Sequence, residues 1–103
     1  MKIELLIVPD CPHESAAAAL ISTAVADTGV KATVSETVIA TDEEARQRGF
    51  TGSPTILLNG SDPFAKSGAP VALSCRSYTT PNGLRFVPDL RDLRQALKRV
   101  AAG

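Results

Sequence analysis

The chain is short of the features that mark nucleic-acid-binding, membrane-spanning and metal-binding proteins. Its 11 basic and 11 acidic side chains give a formal net charge of zero, which argues against a nucleic-acid module and against a polybasic membrane-surface protein. No apolar run approaches the roughly 18 residues of a membrane span. One histidine and two cysteines are too few for the dense Cys and His spacing of a dedicated metal site. We therefore expect no nucleic-acid partner, no membrane partner and no bound cofactor.

The apolar residues at the beginning of the sequence are too few for a secretory signal. They end at Val8, before Pro9 and Asp10, and no small-residue cleavage site follows. We interpret this run as the first strand of the fold and expect a cytoplasmic protein, in which thiols stay reduced. Two cysteines in that compartment are more typical of reactive, ligating or buried thiols than of a structural disulfide.

The spacing of apolar and turn residues predicts an α/β domain over residues 1–103, a length that suits one domain. The order strand, helix, strand, helix at the start implies a parallel strand pair joined by a crossover helix. Two further strands and a final helix give the order βαβα-ββα. The predicted strands are 3–8, 31–39, 55–58 and 71–78, with a short edge strand at 84–87. The predicted helices are 12–27, 41–48 and one that begins after Asp89.

Helix ends and turns are marked by individual residues. Pro12 suits a first helical position, because its missing N–H group is not needed there. Gly29 and Gly49 are suited to end the first two helices. Thr41 and Glu44 have the spacing of a capping box. We treat the polar segment 61–70 as a loop and predict turns at 59–60 and 80–83.

Two short motifs lie beside the predicted strands. Cys11-Pro12-His13-Glu14 follows the first strand, and Gly52-Ser53-Pro54-Thr55 precedes the third. Together with the order of elements, the motifs resemble the thioredoxin superfamily, most closely its short, glutaredoxin-sized members, over residues 1–60 and 84–101. The resemblance implies a three-layer α/β/α fold with a mixed sheet, in which the 61–83 segment is enlarged.

The resemblance also implies roles for the two motifs. The family has Cys-x-x-Cys at the first motif, and Cys-Pro-His-Cys is a known oxidising variant. Cys11 therefore takes the position of the nucleophile, and Glu14 stands where the second cysteine would be. At the second motif the family has a cis-proline that packs beside the reactive cysteine and helps to bind substrate backbone. The expected substrate-binding residues are Pro12, Ser53, Pro54 and Thr55.

Cys11 is placed to react as a thiolate, the form of cysteine that acts as nucleophile and metal ligand. It precedes a helix whose unpaired N–H groups and dipole favour an anion. His13 adds stabilisation if it is protonated or donates a hydrogen bond. Glu14 acts in the opposite direction, because a like charge one turn away disfavours ionisation. With no second cysteine in the motif, Cys11 cannot form the usual local disulfide.

Three chemistries stay open for Cys11. It forms a mixed disulfide that a low-molecular-weight thiol resolves, or Cys75 acts as a distant resolving cysteine, or the thiolates bind a soft metal. A disulfide between the two cysteines requires Cα atoms no more than about 7 Å apart. A silent core role for Cys75 is the simplest alternative, since free cysteine is often buried. Strand alternation directs Arg76 to the face opposite Cys75.

We expect a thiol–disulfide oxidoreductase or isomerase-like protein whose catalytic residues are Cys11, His13 and Cys75. Its substrate is expected to be a thiol or disulfide, either on a protein or on a low-molecular-weight compound. One alternative is a non-catalytic thiolate binder of a soft metal or organometal, a class suggested by similar chains associated with organomercurial handling. Another is a redox-inactive interaction module of the same fold. The sequence leaves the oligomeric state open.

Overall fold

A mixed three-strand sheet forms the centre of the protein. In the computed structural model, which describes residues 1–103, the sheet has the order β2-β1-β3, and a separate two-strand sheet pairs β4 with β5. The strands are β1 (Lys2–Ile7), β2 (Thr33–Val38), β3 (Thr55–Leu58), β4 (Tyr78–Thr80) and β5 (Gly83–Arg85). The helices are α1 (Glu14–Thr28), α2 (Asp42–Arg48) and α3 (Leu90–Ala102).

The apolar run of β1 is explained by its central position. β1 pairs in parallel with β2, with Ile3 opposite Val34, and antiparallel with β3, with Leu5 opposite Ile56. A strand with neighbours on both edges and helices over both faces buries most of its side chains. Residues 5–7 are accordingly apolar and buried, whereas Lys2 is exposed and Glu4 partly exposed at the start of the strand. The expected parallel pair and the mixed sheet are both confirmed.

Helices cover the two faces of this sheet unequally. Buried residues of α1 and α3 pack with one face of β1 and β3 in the larger core cluster, whereas Ala45 of α2 packs with the other face in a smaller one. The larger cluster contains Ile3, Leu5, Ile7, Cys11, Ala17, Ile21, Ala24, Ile56, Leu58, Leu93, Ala96 and Leu97. The smaller one contains Leu6, Ile39, Ala45, Phe50 and Leu57. Cys11 thus belongs to the larger core.

The helix ends follow the predicted caps with one exception. The Thr41 side chain accepts a hydrogen bond from the Glu44 N–H group, and Gly29 and Gly49 end their helices with positive φ. Pro12 is not the first helical residue: α1 begins at Glu14, because a turn in which the Glu14 N–H donates to the Cys11 carbonyl precedes it. None of the three helices has both the length and the apolar character needed to cross a membrane.

The region after β3 departs from the prediction. No strand forms over 71–78; only its last residue enters β4, which makes a hairpin with β5 around the predicted turn. The preceding segment instead makes an isolated bridge between Cys75 and Ser53. The predicted edge strand at 84–87 is also displaced, because β5 covers Gly83–Arg85. The hairpin therefore stands apart from the main sheet.

Candidate functional site

Cys11 lies in the connection between β1 and α1, where the chain turns sharply. Asp10 before it has a φ of +56°, a left-handed conformation that aspartate adopts more readily than most residues. This turn directs the Cys11 side chain into the core, where the residue is only 8% exposed. Neither cysteine is in a disulfide, so both thiols are free to react.

The Cys11 sulfur has a hydrogen-bond donor in Ser53. The Ser53 Oγ lies 3.0 Å from the Cys11 Sγ and donates to it, and the same oxygen accepts a hydrogen bond of 3.1 Å from the Val8 N–H group. The Val8 contact occupies an acceptor position of the hydroxyl and so orients its proton toward sulfur. Because Ser53 is fully buried, water does not compete for this donor. The sulfur therefore has one well-oriented donor within the protein.

The loop that carries Ser53 is fixed by several contacts. The Ser53–Pro54 peptide bond is cis, as the resemblance implies for this position. The Thr55 hydroxyl donates to the Gly52 carbonyl over 2.6 Å. Gly52 has a φ of +140°, and a Cβ atom added there would lie 2.7 Å from the Arg76 Cβ. Glycine is therefore required at this position by both its backbone angle and the close approach of Arg76.

Cys75 lies beside this loop and is exposed. The Ser53 N–H donates to the Ser74 carbonyl over 2.8 Å, and the Arg76 N–H donates to the Ser53 carbonyl over 2.9 Å. This places Cys75 opposite Ser53 in a parallel bridge, with backbones about 5 Å apart, the ordinary strand spacing. The bridge joins the backbones of Cys75 and Ser53, while the exposed Cys75 residue lines a small cavity with Thr51, Lys66 and Ala69.

Arg76 holds the segment from the opposite face. Its guanidinium is buried, with Nη1 2.6 Å from Asp62 Oδ2 and 3.2 Å from the Thr55 hydroxyl, and Nη2 donates to the Phe64 carbonyl over 2.6 Å. The Arg76 Cζ atom also lies 4.6 Å from the centre of the Tyr78 ring, a cation–π distance. Arg76 is therefore directed away from Cys75, as strand alternation predicted, and serves as an anchor.

Tyr78 connects this anchor to the proline loop. Its hydroxyl donates to the Pro54 carbonyl. Burial raises the pKa of Tyr78 well above its ordinary value, and the positive charge of Arg76 offsets only part of this effect. The phenol consequently stays protonated at neutral pH and donates to the Pro54 carbonyl there.

The remaining residues of the first motif make no hydrogen bond to the Cys11 sulfur. His13 is the N-cap residue of α1 and stacks on Phe86, with ring centres 4.4 Å apart and planes 13° from parallel. It makes no hydrogen bond to Cys11. Pro12 is exposed, and Glu14 is the first residue of α1. The structure thus brings together Cys11, Ser53, Pro54, Thr55 and the backbone of Cys75, while His13 is held by an aromatic neighbour.

Sequence reasoning missed the groups that support the loop, namely Val8, Gly52, Asp62 and Tyr78. Arg76 was expected to point away from Cys75, but its ion pair with Asp62 was not predicted. A signal existed for Gly52, since a glycine before Ser-Pro suggests a close approach or an unusual backbone angle. No spacing pattern in the sequence links Asp62 to Arg76 or Tyr78 to Pro54.

Comparisons with family models, with curated proteins and with solved structures produced no match to this chain. No group of three or more His, Cys, Asp or Glu side chains in the structure is arranged to hold a metal ion. What the protein does is therefore argued from the geometry around Cys11.

Proposed function

We propose that this is a thioredoxin-like thiol–disulfide exchange protein in which Cys11 is the nucleophile. The observation that carries the proposal is the hydrogen bond from the buried Ser53 hydroxyl to the Cys11 sulfur. A structural cysteine in an apolar core needs no donor directed at it, whereas a reactive thiolate gains from one. The cysteine before α1, the cis Ser53–Pro54 bond before β3 and the sheet order β2-β1-β3 support the fold assignment.

The proposed reaction begins with attack of the Cys11 thiolate on one sulfur of a disulfide RS–SR. A new bond forms between Cys11 and one sulfur, and the other leaves as the thiolate RS⁻. The Ser53 donor stabilises the anion before attack and again when Cys11 is the leaving group. With Glu14 in the place of a local second cysteine, the mixed disulfide needs a thiol from elsewhere.

Cys75 is the internal candidate for that second thiol. Its backbone is bridged to Ser53, whose hydroxyl contacts Cys11, and its side chain is exposed. Attack of the Cys75 thiolate on the Cys11 sulfur forms a Cys11–Cys75 disulfide and releases the second RS⁻. The two protein thiols are thereby oxidised while RS–SR is reduced to two thiols, so the electrons balance.

Alkylation and trapping experiments test the proposal directly. We expect iodoacetamide to modify Cys11 in the folded protein at neutral pH when Cys75 is replaced by serine, because the thiolate is the reactive form. With bis(2-hydroxyethyl) disulfide, Cys75→Ser should accumulate a stable mixed disulfide on Cys11, whereas the unmodified chain should form an internal disulfide. Cys11→Ser is the matched control and should do neither. Absence of both alkylation and a disulfide adduct at Cys11 in the folded protein contradicts the proposed exchange activity.

A second candidate function follows from the same bridge. Two cysteines next to Ser53, one in contact with its hydroxyl and one paired with its backbone, offer a pair of soft ligands that suit Cu⁺ or Hg²⁺. Equilibrium dialysis of the reduced protein with Cu⁺, Hg²⁺ and Zn²⁺ distinguishes the two functions. Tight binding that needs both cysteines, without turnover of disulfides, favours a metal carrier. Metal binding that is unchanged in Cys11→Ser excludes a metal site at Cys11.

A further inference from the structure

The main-chain groups of Ser53 are already occupied by the protein's own chain. Both its N–H and its C=O are bonded to the segment Ser74-Cys75-Arg76, at 2.8 and 2.9 Å. An extended peptide that adds to a protein as a strand depends on free main-chain donors and acceptors at the place where it binds. Ser53, the residue in contact with the Cys11 sulfur, offers none while this segment is in place.

Side-chain contacts of Arg76 hold segment 74–76 in place beside Ser53. Arg76 bonds to Asp62, Thr55 and the Phe64 carbonyl from one face. An ion pair that is this buried and well bonded is costly to break from one side, because it leaves an unpaired charge. Displacing the segment therefore requires loss of the Ser53 bridge together with strain on the Arg76 anchor.

Approach to the Cys11 sulfur is restricted by burial. Cys11 is only 8% exposed, so a reagent must be compact to reach its sulfur. The cavity of about 220 Å³ beside Cys75 is lined by Thr51, Lys66, Ala69, Arg76 and Ser77 and does not include Cys11.

From these observations we infer that segment 74–76 is a built-in strand occupying the peptide-binding edge at Ser53, so that the site accepts low-molecular-weight disulfides and discriminates against extended peptide disulfides. This inference rests on the proposed function. Cys75 is the residue of this segment that is paired with Ser53. The Cys11 thiolate forms a bond to one sulfur of the small disulfide RS–SR as the first RS⁻ leaves. Cys75 then displaces the second RS⁻ as described above.

A comparison of two substrates tests the inference. One is bis(2-hydroxyethyl) disulfide, and the other is an extended peptide whose single cysteine carries 2-mercaptoethanol in the same type of disulfide. We expect Cys11 to react at least about tenfold faster with the small compound, because peptide pairing at Ser53 must first break two main-chain hydrogen bonds. Asp62→Asn, which removes the charge partner of Arg76, should reduce this ratio. Asp27→Asn, which breaks the exposed ion pair with Arg94, is the matched control and should leave it unchanged.

The outcomes separate the inference from the proposed function. Reaction of Cys11 with neither disulfide contradicts the function itself. Equal rates with both substrates in the unmodified chain overturn the inference while the exchange activity stands. A ratio that Asp62→Asn leaves unchanged overturns the anchoring role of Arg76. If Asp62→Asn fails to fold, as judged by circular dichroism, Arg76→Lys retains the charge but not the forked donors and serves as the second variant.

Discussion

Replacing Ser53 by alanine tests whether the hydroxyl acts on the Cys11 sulfur. The change removes the hydrogen bond of 3.0 Å to the sulfur and leaves the Val8 N–H group without its acceptor. A hydrogen bond to a charged group contributes about 1.5–3 kcal/mol. Since about 1.4 kcal/mol corresponds to a factor of ten, the rate of Cys11 modification at neutral pH should fall by a factor of up to about a hundred. The free energy of unfolding should also decrease by about 1–3 kcal/mol, because a partly buried N–H loses its partner.

The assay is the rate of iodoacetamide modification of Cys11 across the pH range, measured with Cys75 replaced by serine in every variant. Urea unfolding followed by circular dichroism establishes that each variant is folded. Ser35→Ala is the matched control, because Ser35 is an exposed serine of β2 that makes no side-chain hydrogen bond. An alkylation profile for folded Ser53→Ala that superimposes on the control would refute the role given to the hydroxyl.

Three further predictions concern the structure around the site and the edge of the sheet. Tyr78 is the only tyrosine in the chain, and its raised pKa predicts that the folded protein shows no tyrosinate absorbance near pH 10. The free energy of unfolding should decrease as the pH rises above 10, because only the unfolded chain then releases the phenol proton. Ionisation near pH 10 in the folded protein would contradict the burial of the phenol. Gly52→Ala should lower the free energy of unfolding by several kcal/mol, and Gly68→Ala by about 1 kcal/mol. Both glycines have positive φ, but only Gly52 lies against Arg76. Equal losses in urea unfolding would contradict this contact. The hydrogen bond from Thr37, with Arg48 contributing less, lowers the pKa of Glu4 despite opposing desolvation, so its stabilisation is present at neutral pH and is lost as pH falls through the lowered value. Thr37→Val should therefore reduce the free energy of unfolding at neutral pH by less than about 1 kcal/mol. It should also weaken the dependence of stability on pH below pH 5, measured by circular dichroism. An unchanged acid transition would show that Thr37 has no influence on Glu4.

Most of the fold could be predicted because its signals are local. The apolar run of β1, the capping box at Thr41 and the glycines after α1 and α2 each specify a conformation within a few residues. The helix that follows Asp89 was equally accessible, since a cap and an apolar face mark it. These elements fold as their own sequences favour. The parallel pairing of β1 with β2 follows from their order, whereas the mixed sheet was expected from the family resemblance.

The segment 71–78 could not be assigned correctly for the opposite reason. Its β-favouring residues suggested a strand, but its backbone bonds to a loop residue, Ser53, and Arg76 is drawn inward by Asp62. These contacts depend on the assembled molecule. The same holds for the site: Cys11 and the proline loop were expected together through a family resemblance, whereas the Val8 and Tyr78 hydrogen bonds span 45 and 24 residues without a spacing signal.

The separation of the β4–β5 hairpin from the three-strand sheet has a consequence for hydrogen exchange. The hairpin is short, and Leu84 of β5 is 65% exposed, whereas Tyr78 of β4 is buried and donates to the Pro54 carbonyl. β5 can therefore open without disturbing the Ser53 bridge, the Arg76 ion pair or the pairing of β1 with β2 and β3. The protein thus contains units with different opening free energies. The amide protons of β5 should exchange by local opening, those of Ser53 and Arg76 should exchange more slowly, and those of β1 only when the whole protein unfolds.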